Sequence, residues 1–273
     1  MNADSSDTHS PVISATDLTR RFASLLAVDR ATFDVQPGEI FGLIGPNGAG
    51  KSTLIKMLTT LLPPSSGTAR VAGFDIAVRP AEVRRRIGYV PQLLSADGEL
   101  TGYENLLLSA RLYLVPHRER AARIDQALAM MGLHDVRNRL VRTYSGGMIR
   151  RLEIAQSTLH RPRVIFMDEP TIGLDPTSRH VVWQHIRALG SQSGTALLLT
   201  THQMEEADSL CHRIGVLCAG RLVAVGSPRE LKAQVGKDAT LDDVFEALTG
   251  AALAVRGDYR HVREERRGVQ EHG

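Results

Sequence analysis

Gly45-Pro46-Asn47-Gly48-Ala49-Gly50-Lys51-Ser52 is the stretch that decides the fold of this 273-residue chain. It fills every fixed position of the pattern G-x-x-x-x-G-K-[ST]. The five residues before it, 40–44, form an apolar strand-like run, and a helix is expected from Lys51 to about Leu61. Glycines let the backbone curl so that successive N–H groups face one anion. The helix start behind them adds the positive end of its dipole. In such a loop the Lys51 ammonium reaches the β- and γ-phosphates of a nucleoside triphosphate, and the Ser52 hydroxyl takes Mg²⁺. Thr53, the next residue, is counted with the same phosphate-binding set.

Outward from the loop, short strand-like runs dominate the N-terminal part, at 12–15, 31–35, 68–71 and 87–90, punctuated by Pro37-Gly38 and Pro63-Pro64. From about Tyr103 to Gln156 leucine, alanine and arginine recur at helical spacing. Strand character returns at 164–167, 196–200 and 214–217, separated by helical runs at 178–189 and 204–211. This alternation implies a parallel sheet, interrupted by an inserted helical block. No internal repeat is visible. Residues 1–11, rich in Ser and Asp, read as a disordered lead-in. The expected organisation is a core at 12–242 with a helical subdomain at about 92–158, then a tail at 243–273 ending in a charged, mobile stretch from residue 256.

Composition narrows the function classes. The chain holds 33 basic and 30 acidic residues, a net charge of +3. That excess is too small and too scattered to suggest a nucleic-acid stripe. Cys211 and Cys218 cannot build a disulfide framework, and their spacing does not suit zinc, so they read as reduced thiols. No run approaches the roughly 20 apolar residues of a membrane-spanning helix. The first ten residues lack the apolar core of a secretory signal. Any membrane role is therefore expected to come through a partner.

The run 164–167 ends in Asp168-Glu169-Pro170. Ligands sit at the C-terminal edge of strands in open α/β sheets. Asp168 is suited to hold Mg²⁺ opposite the Ser52 hydroxyl, and Glu169 to orient and polarise a water in line with the γ-phosphate.

Tyr144-Ser145-Gly146-Gly147-Met148 adds something a generic phosphate-loop protein lacks. With Gln92 upstream, Gly173-Leu174-Asp175 after the acidic pair and His202 after a strand, the order resembles the ATP-binding cassette (ABC) transporter family over about residues 12–250. The resemblance implies a P-loop NTPase core, a RecA-like parallel sheet with an antiparallel β subdomain, and an inserted α-helical subdomain. It implies that Phe22 stacks on adenine, that Gln92 contacts Mg²⁺ and links the nucleotide to the helical block, that Asp175 touches a second cassette, and that His202 senses the γ-phosphate. Ser145-Gly146-Gly147 opens a helix expected at about 148–158, another anion-friendly terminus. Lying in the inserted block, it would close on ATP held by a second subunit, identical or not. Tyr144 and Met148 depart from the leucine and glutamine common in the family, and neither change removes the serine hydroxyl or the backbone amides.

Arg150-Arg151-Leu152 after that signature, Thr201 to Ala207, and Thr240 to Phe245 further resemble the daunorubicin-resistance branch of exporters, whose membrane subunit is a separate ABC-2-type permease. The implied role is an ATPase at the cytoplasmic face of the cell membrane, driving export of a drug, antibiotic or lipid-like compound. Residues 92–101 read as a flexible segment, and Tyr103 with Leu106-Leu107-Leu108 as either a groove for a permease helix or subdomain core. Arg84–Arg86 and Arg118–Arg123 read as solvated helix faces. Two rivals remain in view: a soluble cassette ATPase not tied to transport, and a nucleotide-gated module that never hydrolyses. An ATPase assay separates the second, and membrane fractionation the first.

Overall fold

A computed structural model describes residues 10–256 and, within them, every side chain but those of 192–193 and 251–256. The expected lead-in up to residue 9 and the stretch from 257 on lie outside the described residues. The chain begins with a hairpin, β1 (Ile13–Phe22) and β2 (Leu25–Val35), followed by β3 (Ile40–Ile44) and α1 (Lys51–Leu58). Next come β4 (Ser66–Val71), β5 (Phe74–Asp75), α2 (Pro80–Arg84) and β6 (Ile87–Val90). The helical block holds α3 (Gly102–Leu112), α4 (His117–Met130) and α5 (Gly146–Thr158). It is followed by β7 (Val164–Asp168), α6 (Pro176–Ser193), β8 (Ala196–Thr201), α7 (Met204–Leu210), β9 (Arg213–Cys218), β10 (Arg221–Gly226), α8 (Pro228–Val235) and α9 (Leu241–Arg256).

Two sheets result. One is antiparallel, in the order β2-β1-β4-β5; the other is six-stranded, in the order β10-β9-β3-β8-β7-β6, and parallel except for β10. Strands β3, β7 and β8 are buried at every position, which is why they read as unbroken apolar runs. Alternation still sorts their side chains. Phe41, Leu43, Phe166 and Leu198 face a core shared with α1 and the antiparallel sheet. Ile40, Ile44, Met167 and Leu199 face the opposite core, built with α5, α6 and the helical block. The parallel sheet is thus the wall between two cores, and the register pairs Ile44 with Thr201 and Asp168 with Thr200. That pairing lines up three strand ends on one edge.

Several expectations are corrected. The helix after the phosphate loop ends at Leu58, three residues early, because Thr60 turns into the left-handed region at φ 63°. The helix after the Ser-Gly-Gly turn starts at Gly146, since Ser145 itself is its N-cap. The boundary at 242/243 falls inside α9, whose Leu241 and Val244 are buried and which packs on α7, α8, β9 and β10. The first residues of what read as a tail, Val244 with Phe245 and Leu248, pack into the core. Leu106 is buried in the helical block and Tyr103 and Leu107 pack against it, so of that set Leu108 alone is exposed. Residues 92–101 contain neither helix nor strand, yet Asn105 holds Asp97 by two hydrogen bonds of 2.9 Å, and Thr101 and Glu104 cap α3 reciprocally. Cys211 and Cys218 are both buried, and burial pushes the Cys211 thiol well above its usual range.

One polar cluster ties α6 to α7. Glu206 of α7, only 1% exposed, accepts from Trp183 Nε1 of α6 at 2.8 Å and from Thr171 Oγ1 at 2.7 Å. Trp183→Phe keeps an aromatic ring but removes one donor from a buried carboxylate. We expect a loss of about 1–3 kcal/mol in unfolding free energy, read as a lower urea midpoint at unchanged slope; an unchanged midpoint contradicts this account.

Candidate nucleotide site

The loop 45–50 joins β3 to α1, and its glycines are required by shape. Gly48 and Gly50 have φ of 79° and 105°. A Cβ on Gly45 would lie 2.3 Å from the Leu217 carbonyl, and one on Gly50 2.3 Å from that of Ala27. The loop is braced from outside as well, because the Gly220 amide in the β9–β10 turn donates to Ala49 O at 3.0 Å. Lys51, 5% exposed, donates to Gly45 O at 2.7 Å and Pro46 O at 3.1 Å. Its ammonium also lies 3.7 Å from Glu169 Oε1. Burial pulls the Lys51 pKa down, while the Glu169 and Asp168 carboxylates oppose that shift. The side chain is short of anionic oxygen at this position, and a triphosphate supplies it.

Asp168 sits at the end of β7 behind the loop. Its Oδ1 accepts from Ser52 Oγ at 3.1 Å and from Thr200 Oγ1 at 2.6 Å. Glu169 follows it, buried, with φ 49°. A non-glycine residue there stores backbone strain, which persists only where the surroundings dictate it. They do: the Glu169 amide donates to both Thr200 O at 3.1 Å and Thr200 Oγ1 at 2.9 Å. The carboxylate is thereby turned towards Lys51 on one side and His202 Nδ1, at 3.2 Å, on the other. His202 itself, on the turn after β8, is 42% exposed.

The structure brings most of the expected residues to one place. Phe22, the loop from Asn47 through Thr53, Gln92, Glu169 and His202 all line a single cleft of about 680 Å³. Gly45, Pro46 and Asp168 stand behind its lining. The Phe22 ring is half exposed, with the Arg20 guanidinium 4.6 Å from its centre. Ser145, Gly146, Gly147 and Asp175 do not line the cleft. They form a second group: Gly147 packs so tightly on Ser178 that a Cβ would come within 2.9 Å of it, and Asp175 caps α6 by accepting from the Ser178 amide at 2.9 Å. Hydrogen bonding from the Ser178 hydroxyl and, next, its amide holds the exposed Asp175 carboxyl below its usual range. The Ser145 hydroxyl accepts from Met148 N at 3.3 Å. Thr200 escaped the sequence reading altogether; its place opposite Asp168 is a property of strand register, which adjacent residues do not announce. Tyr144, the departure from leucine, is buried and donates its hydroxyl to Val136 O at 2.8 Å.

Comparison with known proteins agrees with this geometry. The ABC transporter family model matches residues 28–172. The chain is 48% identical over 229 residues to the daunorubicin/doxorubicin resistance ATP-binding protein of Streptomyces peucetius, covering 83% of this chain and 68% of that one. It is 43% identical to the Nod factor export ATP-binding protein I of Burkholderia thailandensis, over 80% of this chain and 72% of that one. It is 34% identical to the linearmycin resistance ATP-binding protein of Bacillus subtilis, over 93% and 81%. A solved structure described as the ATP-binding subunit of an ABC transporter superposes with a TM-score of 0.78 at 30% identity, covering 87% of this chain and 99% of that one. These relatives set the soluble alternative aside. A phosphate loop, an acidic strand end and a histidine gathered on one sheet edge, in a chain this similar to export ATP-binding proteins, make it a member of the ABC transporter family: an ATP-binding, ATP-hydrolysing subunit that energises export.

Proposed function

We propose that ATP lies in the cleft with its phosphates along the loop 45–53, its adenine on Phe22 and its γ-phosphate towards Gln92, Glu169 and His202. The observation that carries this is the convergence of Lys51, Ser52, Asp168, Glu169 and His202 on the ends of β3, β7 and β8. Mg²⁺ takes hard oxygen ligands and is usually bound by one or two carboxylates plus substrate phosphates. The Ser52 hydroxyl and Asp168 carboxylate, already 3.1 Å apart, fit that role, and Gln92 stands on the same cleft. Bound there, the ion would neutralise charge on the β- and γ-phosphates. Glu169 accepts hydrogen bonding from the attacking water and aligns it, and His202 holds the carboxylate's other oxygen. Lys51 gives up its two carbonyl partners to meet the phosphates.

The Ser145-Gly146-Gly147 turn and Asp175 face a second cassette, identical or not, and the turn closes on the ATP which that cassette holds. The membrane partner is an ABC-2-type permease, and the chain sits at the cytoplasmic face through it. Its docking side is the helical block and the loop after Gln92. There Leu93, Leu94, Leu108, Leu112 and Leu114 are exposed, and Leu112 lines a recess together with Tyr89, Ser95, Tyr113 and Gln156. An exposed apolar group of that size marks an interaction surface. Similarity to resistance proteins for daunorubicin and linearmycin favours amphipathic drugs, antibiotics or lipid-like compounds as cargo.

The test is co-expression with the permease. The chain should pellet with membranes when the permease is present and remain in the supernatant when it is absent, and the purified complex should hydrolyse ATP. Chelating Mg²⁺ with EDTA should reduce turnover to background and added Mg²⁺ should restore it. Hydrolysis indifferent to EDTA, or membrane binding indifferent to the permease, overturns the corresponding assignment.

A further inference from the structure

Arg150 and Glu153, three residues apart on α5, form the most deeply buried ion pair among the described residues, with both side chains 2% exposed. Arg150 Nη1 meets Glu153 Oε2 at 3.0 Å. Everything else the two side chains bond to is the backbone or hydroxyl of one loop. Arg150 donates to Pro91 O at 2.6 Å and to Gln92 O at 2.7 Å. Glu153 Oε1 accepts from the Ser95 amide and, at 3.1 Å, from the Ser95 hydroxyl. It also accepts from the Ala96 amide. Two side chains thus grip a loop at both ends, and of the loop's exposed side chains Gln92 is the one that lines the nucleotide cleft.

An ion pair this dry is a poor way to gain stability, because desolvation offsets the attraction; apolar residues of the same volume would hold α5 against β6 as well. What apolar residues could not do is fix the direction of two carbonyls and two amides, and so the direction in which Gln92 projects. The same helix begins at Ser145-Gly146-Gly147, with Ser145 as its cap. We propose that Arg150 and Glu153 are positioning residues that lock the loop 91–96 to α5, so that Gln92 and the Ser145-Gly146-Gly147 turn move as one body when nucleotide arrives. Bending is then confined to the two connections that leave this body, at 90–91 and at 159–163. This rests on the reading above that Gln92 meets the nucleotide and that the turn closes on a second cassette.

The experiment uses the full chain with its permease and the double variant Arg150→Met/Glu153→Leu, which leaves no buried charge unpaired. ATP-dependent pairing of cassettes is read in a Glu169→Gln parent, turnover in the chain with Glu169 intact, and ATP affinity by fluorescent nucleotide titration. We expect the double variant to unfold cooperatively with an undiminished urea midpoint and to bind ATP as its parent does. It should need about tenfold more ATP to pair, and its kcat should fall by about tenfold. Hydrogen exchange at 92–96 should rise while that of α5 is unchanged. A merely structural pair would alter the midpoint and leave kcat and pairing alone. A folded double variant that pairs and turns over like its parent overturns the clamp. Should the double variant not fold, Ser95→Pro, which deletes one gripped amide on the loop side, must reproduce the loss of pairing, and full activity there overturns the clamp equally. A Glu169→Gln parent that stays single with ATP and Mg²⁺ overturns instead the underlying reading of closure between cassettes, and the clamp with it.

Discussion

Glu169→Gln stops steady-state ATP turnover while ATP still binds: we expect a fall of about 10²–10⁴-fold in rate, the usual worth of a positioned general base, with nucleotide affinity within a few-fold of wild type. The reason is local. Glutamine has the same shape, and the strained backbone at 169 is held by Thr200 whichever side chain follows. What is lost is the negative charge between Lys51 and His202, the carboxylate that would align and polarise the attacking water. The loss should therefore appear in kcat, with KM little changed. Unaltered ATPase in the purified mutant complex removes Glu169 from the role proposed for it.

The second large effect belongs to Lys51. Lys51→Ala removes the one ammonium among the side chains lining the cleft. Hydrogen bonds to charged groups are worth about 1.5–3 kcal/mol each, so we expect ATP affinity to fall by about 10–10²-fold and turnover to drop to background. The change also leaves Gly45 O and Pro46 O without the donor they have, and Glu169 without the ammonium 3.7 Å from it. Lys51→Met loses the same donor and charge but retains the buried stem: both variants should lose nucleotide alike, and Lys51→Met should unfold at a higher urea midpoint than Lys51→Ala. ATP bound by Lys51→Met with undiminished affinity would rule out lysine as a phosphate ligand.

How much of this was legible depended on how local each cause is. The phosphate loop is written in eight consecutive residues whose conformation is set by their own glycines, so strand, turn and helix could all be placed from it. The acidic pair after β7 was legible for the same reason. Thr200 was not, because its place beside Asp168 is fixed by the pairing of β7 with β8. Strand β10 and helix α8 were missed; all six residues of β10 are half-buried or exposed, so its pattern carries little periodic signal. Helix α9 was mistaken for tail because Asp242 and Asp243 open it, although acidic residues are favoured in a first turn and its core contacts begin at Leu241. Arg150 read only as part of the stretch after the Ser-Gly-Gly signature; the fold shows it turned inward onto the Gln92 loop.

The two buried sulfhydryl side chains have a practical corollary. Cys211 is held neutral by its surroundings, and a Cβ on Gly42 would come within 2.6 Å of its sulfur, so a maleimide has neither a nucleophile nor room there. Cys218 is just as far from solvent. A reporter dye could thus be attached through one cysteine introduced at an exposed position outside the cleft and the Ser145-Gly146-Gly147 turn, leaving both natural cysteines in place, and the approach of two subunits followed by energy transfer.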